Sequence, residues 1–416
     1  KTDLAPKKGP VSVISRYAGG PHMASTFWRM ASNSSGRVSG LGRGVTPGAS
    51  KRSKRSLAMA SGMADLLVDT AYVCRRLARA QAAVAIGLGL VTQVSLAAPL
   101  LEDCIALELR DEAGRAVVGV EDVAFDAARD RVLLSAHDRR ARPPAEGGIY
   151  AWSRDAIRRE APEVMRLAVE GLPPGGLRPH GIGLAGNRLA VVNRTTGADG
   201  AVAPVIDVFR IEGDGLAHLA RHADPRLCRP NDVALEGARL LVTNDRGHCG
   251  GPAFWLERVF NRPEAFVLSF DEAATIVARG FRFANGIVVA DGAVHVAATR
   301  GRRVRRLDGE PIALPLAPDN LTIAQDGSVW VAGATSLWRF ALFIQGWTTR
   351  AGRSAVARLD GAEVTVWSVP EGVIQGATAA LPVGDRLVIA AGWDDRVALC
   401  RNPVSAARRA AGRGDP

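Results

Sequence analysis

Lysine disappears from the chain after position 54: all five lysines lie at or before Lys54, and every later positive charge is an arginine. Net charge is also missing from the body. Residues 101–416 carry 39 basic and 39 acidic side chains, whereas residues 1–100 carry 14 and 3, so the whole excess of +11 sits in the first hundred. A groove that tracks phosphates needs its positive charge on the folded domain, so nucleic acid is excluded as the partner. Cysteine is scarce. None of the five (Cys74, Cys104, Cys228, Cys249 and Cys400) shows the CxxC spacing of a zinc finger or ribbon. Long runs of 3.6-residue period are absent from 104–400, which argues against a helical bundle. Charge is absent from Ala80 to Leu101, yet Thr92, Gln93 and Ser95 break that run and weaken it as a permanent membrane span.

What is present is 47% apolar residues, too many for a disordered chain. At 416 residues the length corresponds to about two to four domains, although β folds often run longer as one unit. Residues 1–58 hold Gly, Ser and Pro clusters and a tag-like "GGPHMAS", so residues 1–74 are read as an extension outside the fold, with Met59 or Met63 as a natural start. Arg75, Arg76 and Arg79 then precede the charge-free run, and "SLA" ending at Ala97 is a small-residue cleavage site. Residues 75–100 therefore read as a cleaved export signal or a retained anchor helix, 101–402 as an exported body (periplasmic or extracellular), and 403–416 as a tail. Export permits disulfides.

A motif recurs through the body: a turn, a small or charged residue, then an apolar β-rich run. Its six copies are "ARDRVLLSAHD" (128–138), "AGNRLAVVNRT" (185–195), "EGARLLVTNDR" (236–246), "ADGAVHVAATR" (290–300), "QDGSVWVAGAT" (325–335) and "VGDRLVIAAGW" (383–393). Marked at Val132, Leu189, Leu240, Val294, Val329 and Leu387, the intervals are 57, 51, 54, 35 and 58 residues. A propeller blade takes about 40–50 residues, so the expected fold is an all-β, six-bladed β-propeller. Nine to twelve residues before each mark stands a polar group: Glu121-Asp122, His180, Asn231-Asp232, Asn285, Asp319-Asn320 and Gln375. Equivalent positions of all blades are related by rotation about one axis, so these groups must converge on the central channel.

The converging set is rich in oxygen. Carboxylates and amide carbonyls are hard ligands, and Glu121, Asn231, Asn285, Asp319 and Asn320 suit Ca²⁺ rather than Zn²⁺. The other reading is that they hydrogen-bond one another as strand caps, but facing carboxylates repel unless a cation neutralises them. Asp122 and Asp232, one residue on, imply a second Ca²⁺ with a backbone carbonyl near Ile182 as third donor.

The segments "GVEDVAF", "RPHGIGL", "RPNDVAL", "TNDRGH", "FANGIVV", "PDNLTIA" and "IQGATAA" resemble, in order, the signature segments of the serum paraoxonase and arylesterase family, within the strictosidine synthase-like and gluconolactonase propellers. The resemblance spans Cys104 to Cys400. It implies hydrolysis of lactones and aryl esters, a catalytic Ca²⁺ on Glu121, Asn231, Asn285, Asp319 and Asn320, and a structural Ca²⁺ on Asp122, Asp232 and the Ile182 carbonyl. It implies a Cys104–Cys400 disulfide closing the ring, and His180 as general base. The departures are specific. The family's second histidine falls at Arg194, and the histidine after "TND" at Arg246, with His248 two residues on. An arginine relays no proton at neutral pH, but Arg194 and Arg246 suit a carboxylate or phosphate on a substrate.

His137, Arg194, Asp245, Arg246 and His248 make up the expected substrate pocket. Cys228 and Cys249 are either a second disulfide or two free thiols. Two aromatic inserts, 250–265 with Phe254, Trp255, Val259 and Phe260 and 336–349, either pack on a blade, cover the entrance or, with 80–101, touch a membrane. The expected activity is Ca²⁺-dependent hydrolysis of a small-molecule ester or lactone. The rival is a non-enzymatic, calcium-stabilised propeller that binds a partner or small anion on its top face.

Overall fold

A computed structural model describes residues 98–142, 145–197, 202–405 and 407, all within the unit Gln93–Pro416. Residues 1–97, which include most of the expected signal or anchor, and 408–416 lie outside the described residues. Six antiparallel sheets follow one another along the chain, each a meander from an innermost to an outermost strand. Blade one holds Val120–Asp126, Arg131–Ala136, Gly148–Ser153 and Met165–Arg166. Blade two holds Pro179–Ala185, Arg188–Thr196, Val202–Glu212 and Gly215–His222, with Ala168–Glu170 added in parallel at its rim. Blade three holds Pro230–Glu236, Arg239–Asn244, Ala265–Phe270 and Ala274–Phe281. Blades four and five begin at Ala284–Ala290 and Ala317–Ile323 and end at Pro311–Ala313 and Glu363–Ser368.

Blade six is built from both ends of the ring. Ala379–Val383, Arg386–Ala390 and Val397–Arg401 are completed by Ile105–Leu107, with Ile105 opposite Leu399 and Leu107 opposite Val397. Cys104 and Cys400 are bonded, their Cα atoms 4.0 Å apart across 296 residues of sequence. In the chain-entropy picture a loop of this size stabilises by about 6 kcal/mol. Cys228 and Cys249 form a second disulfide, closing the loops on either side of blade three's inner strand pair.

Each register mark falls on the second strand of a blade, and the burial explains why those strands carry the clearest signal. Arg131–Ala136 and Val329–Ala334 are buried at every position, since both faces of the sheet are covered by neighbouring blades. Such a strand reads as an unbroken apolar run. The outermost strand Ala274–Phe281 instead alternates between half-buried and exposed. There is no single core. Six apolar clusters occupy the six seams between blades: Val132 and Leu134 face Leu381 and Val388 of blade six, while Leu133 faces Leu189 and Val191 of blade two. The two-residue side-chain period of a strand sends neighbours to opposite seams.

The strand-two to strand-three connections of blades three and five carry short helices, Gly251–Phe260 and Leu337–Ile344. Both leave the end of the ring at which the innermost strands begin. Trp255, Val259, Phe260, Trp338 and Trp347 are exposed there. Among the described residues no helix is long and apolar enough to cross a membrane.

Candidate functional site

Every innermost strand of blades one to five carries a β-bulge at its polar position. Register shifts between Val120 and Asp122, Pro179 and Ile182, Pro230 and Val233, Ala284 and Ile287, and Pro318 and Leu321. A bulge frees residues from the ladder and re-aims their side chains. The freed residues are Glu121, His180-Gly181, Asn231-Asp232, Asn285-Gly286 and Asp319-Asn320. Bonds between blades bring them together: the Asn320 amide donates to the Glu121 carbonyl at 3.0 Å, across 199 residues of sequence.

The residue after the first freed one alternates around the ring, with Asp122, Asp232 and Asn320 in odd blades and Gly181 and Gly286 between them. A Cβ on Gly181 would stand 2.3 Å from Asp232 Oδ1, and one on Gly286 2.6 Å from the Asn320 Cα. Only glycine fits beside these side chains. Asp122 accepts from Val123 N and Ile182 N, both at 2.9 Å; Asp232 accepts from Val233 N and Ile287 N, both at 2.7 Å. Each aspartate thus staples its blade to the next. At Ile182 the group that meets Asp122 is the amide N–H. Burial raises the Asp122 carboxyl to about 7 despite these bonds, and Asp232 is pushed well above the usual range by burial and then by Asp122. A cation between them would relieve both effects.

The oxygens of the remaining polar residues, and of Asn320, behave differently. Asn231 Oδ1, Asn285 Oδ1 and Asn320 Oδ1 are buried and accept no hydrogen bond, and Glu121 Oε2 has only an ion pair at 3.2 Å. The four residues are at most 5% exposed. An orphaned buried acceptor costs about 1–3 kcal/mol, and native proteins tolerate few. For two of the amides the nitrogen side is already engaged. Asn285 Nδ2 donates to Thr299 Oγ1 at 3.0 Å and to Asp319 Oδ1, and Asn320 Nδ2 to the Glu121 carbonyl. The oxygen is what remains. Asp319, half-buried, is held well above the ordinary carboxylate range by burial and then by Glu121. Two carboxylates, together with three amide oxygens that accept no hydrogen bond, are a fitting shell for Ca²⁺. Among the described residues no three His, Cys, Asp or Glu side chains cluster as a metal site, which leaves this mixed oxygen set as the candidate.

The sequence reading missed Arg139. Its guanidinium is buried and donates to the carbonyls of Gly119 at 2.9 Å, His137 at 3.1 Å and Gly392 at 2.9 Å. Its Nη2 lies 3.2 Å from Glu121 Oε2 and 2.9 Å from His180 Nδ1. Arginine only donates, so His180 Nδ1 is the acceptor and Nε2 carries the proton of the neutral ring. That Nε2 is 3.8 Å from Glu121 Oε1. Burial, followed by Arg194 and Arg139, drives the His180 pKa well down. His137 is also buried, and its Nε2 has no partner. Burial and then Arg139, Arg194 and Arg178 lower it to about 4. The site therefore holds two neutral imidazoles, one with its lone pair engaged and one with it free.

The expected pocket residues lie at the same end of the ring. Arg194 is half-buried, and burial followed by Arg139 pushes it down to about 10. Asp245 is buried and paired with Arg229 at 3.0 Å, with Arg246 at 3.8 Å. Arg246 lies 5.0 Å over the Phe283 ring. His248 is engaged through its backbone, which donates to buried Glu257 at 3.2 Å. Gln375 does not join the centre: its amide oxygen accepts from Ala351 N at 2.8 Å. In blade six Thr378 does so instead, donating to the Glu121 carbonyl at 2.7 Å and accepting from Asn320 N at 2.8 Å. Thr378 stands nine residues before Leu387, the interval that separates His180 from Leu189 and Asn231 from Leu240. A strict interval would have selected it.

No family model matches the chain. No curated protein matches it either. Among solved structures the chain is similar to a gluconolactonase from Xanthomonas campestris (16% identity, 75% of this chain and 94% of that one, TM-score 0.44). It is also similar to regucalcin, a calcium-binding protein from Agrobacterium tumefaciens (12%, 73% and 95%, TM-score 0.40), and to virginiamycin B lyase from Staphylococcus aureus (13%, 72% and 100%, TM-score 0.37). At these values no residue role transfers from one chain to the other.

Proposed function

We propose that the chain is an exported Ca²⁺-dependent hydrolase of lactones or aryl esters, acting at the mouth of the propeller channel. The observation that carries this reading is the set of three buried amide oxygens without donors on Asn231, Asn285 and Asn320, together with the buried Glu121 carboxylate. With Asp319 they would hold one ion, and Asp122, Asp232 and the Ile182 carbonyl a second. When bound, the upper ion supplies a Lewis acid for a carbonyl oxygen. The chain's own residues supply the rest. His137 offers an unshared imidazole lone pair to take a proton from water. His180, its Nδ1 filled by Arg139, presents an N–H 3.8 Å from the Glu121 carboxylate. Two disulfides fit the oxidising compartment of an exported protein.

Turnover of a γ-lactone and of phenyl acetate by the full chain, with and without a chelator, tests this. Hydrolysis should vanish with chelation and return with Ca²⁺. His137→Gln should lower kcat about 10²-fold or more with calcium affinity unchanged. If His180→Gln does so instead, Arg139 must release Nδ1 during turnover. The Arg139–His180 bond favours one rival, a non-enzymatic calcium-stabilised binder; calcium binding with no turnover of either substrate would establish it.

A further inference from the structure

Blades two and three follow the same chain path at the channel mouth. Arg178 N donates to Asn193 Oδ1 at 2.8 Å, and Arg229 N to Asn244 Oδ1 at 2.9 Å. Arg194 N donates to the Arg178 carbonyl at 3.0 Å, and Asp245 N to the Arg229 carbonyl at 3.0 Å. Pro179 pairs with Asn193 as Pro230 pairs with Asn244. Arg178 and Arg229 are thus equivalent, and so are Arg194 and Asp245. Blade three fills its two positions with opposite charges, Arg229 Nε lying 3.0 Å from Asp245 Oδ1. Blade two fills both with arginine.

The difference leaves a positive charge uncompensated. Arg178 Nη1 is spent on the Arg194 carbonyl at 3.3 Å, and its Nε is buried without a partner. Among the described residues no carboxylate lies within ion-pair distance of the Arg194 guanidinium. Arg139, a third cation nearby, is committed to Glu121, His180 and three carbonyls, and its Nε too is buried without a partner. Burial and the neighbouring arginines weaken Arg194's hold on its proton, a sign that the place is unfavourable for a cation alone. A half-buried charge without a partner is costly, and its natural complement is an anion from outside the chain. The planar guanidinium fork suits the paired oxygens of a carboxylate or phosphate.

We propose that Arg194 binds an anionic group of the substrate, a carboxylate or a phosphate, which would supply to blade two the negative charge that Asp245 gives Arg229 in blade three. This rests on the hydrolase reading and narrows its substrates to lactones or esters that carry such a group close to the scissile bond.

The experiment uses the calcium-saturated full chain and two γ-lactones that differ only in charge: 5-oxotetrahydrofuran-2-carboxylate and its carboxamide. Binding is read by calorimetry and turnover by kcat/KM, with inorganic phosphate as a separate competitor to distinguish the two anions. The wild type should prefer the carboxylate by about tenfold or more. Arg194→Gln should erase that preference, and Arg194→Lys should retain part of it. Arg194→Met, checked by circular dichroism, replaces the glutamine variant if that one misfolds. Equal binding of the two lactones by the wild type, or a preference that survives Arg194→Gln, overturns the proposal even if both lactones are hydrolysed. Arg194-dependent anion binding without turnover leaves the anion site standing and removes the hydrolase reading. Failure of both carboxylate and phosphate to bind the wild type removes the anion site.

Discussion

Blade three balances its charges within itself, and blade two does not. At equivalent positions blade three places Asn231, Asp232, Arg229 and Asp245, and locks the surrounding loops with the Cys228–Cys249 disulfide. Blade two places His180, Gly181, Arg178 and Arg194, with no carboxylate in reach of Arg194 among the described residues. The backbone hydrogen bonds of the two are the same within 0.1 Å. The fold therefore constrains the chain path and leaves the chemistry of each position free. On the proposed reading blade three would serve the metal and the ring, while blade two would face a ligand.

The comparison is sharpest at the first bulge position. Asn231→Ala in blade three removes an oxygen from the proposed ion and should lower Ca²⁺ affinity about 100-fold or more, measured by calorimetry. His180→Gln at the matching position of blade two should leave affinity within about twofold. Equal losses would mean that the two blades do not divide their roles.

Charge exchange between the blades comes next. Asp245→Arg gives blade three the like-charge pair of blade two and strands Arg229 beside it. Urea unfolding should show a loss of about 3 kcal/mol. Arg194→Asp gives blade two the pair of blade three and should stabilise by about 1 kcal/mol at most, because the new pair is partly open to solvent. Destabilisation by Arg194→Asp would mean that Arg194 has a partner in the folded chain.

The smallest effect is in pH. His137 stays neutral in the folded chain down to about 4, whereas an unfolded histidine takes up its proton near 6.5. The unfolded state then binds more protons between these values, so stability is present above about pH 6.5 and falls as pH drops toward 4. The midpoint of thermal unfolding should fall more steeply across that window in the wild type than in His137→Gln. Parallel curves would place His137 in water rather than beside the arginines.

The blades were legible in the sequence because their second strands are buried on both faces and preceded by turns. "EGARLLVTN" and "VGDRLVIAA" announce themselves by composition. The oxygen set was legible because rotation about an axis repeats one position. Arg139 was not, for a physical reason. Its role depends on the carbonyls of Gly119 and Gly392, which meet only when the ring closes. The pairing of Cys228 with Cys249 was left open, since two cysteines flanking a blade carry no signal for their distance. Gln375 misled because a loose interval admits it, while the nine-residue interval of His180 and Asn231 selects Thr378. That Asp122 and Asp232 accept backbone N–H groups of the next blade depends on the seams and leaves no trace in spacing.

The most direct measurement is a crystal structure of the protein grown with millimolar Ca²⁺, or with Tb³⁺ for its anomalous signal. One ion should appear in the channel with oxygens of Glu121, Asn231, Asn285, Asp319 and Asn320 about 2.3–2.6 Å away. Water on those oxygens, with Arg139 still paired to Glu121 and no ion between the blades, would contradict the proposed centre.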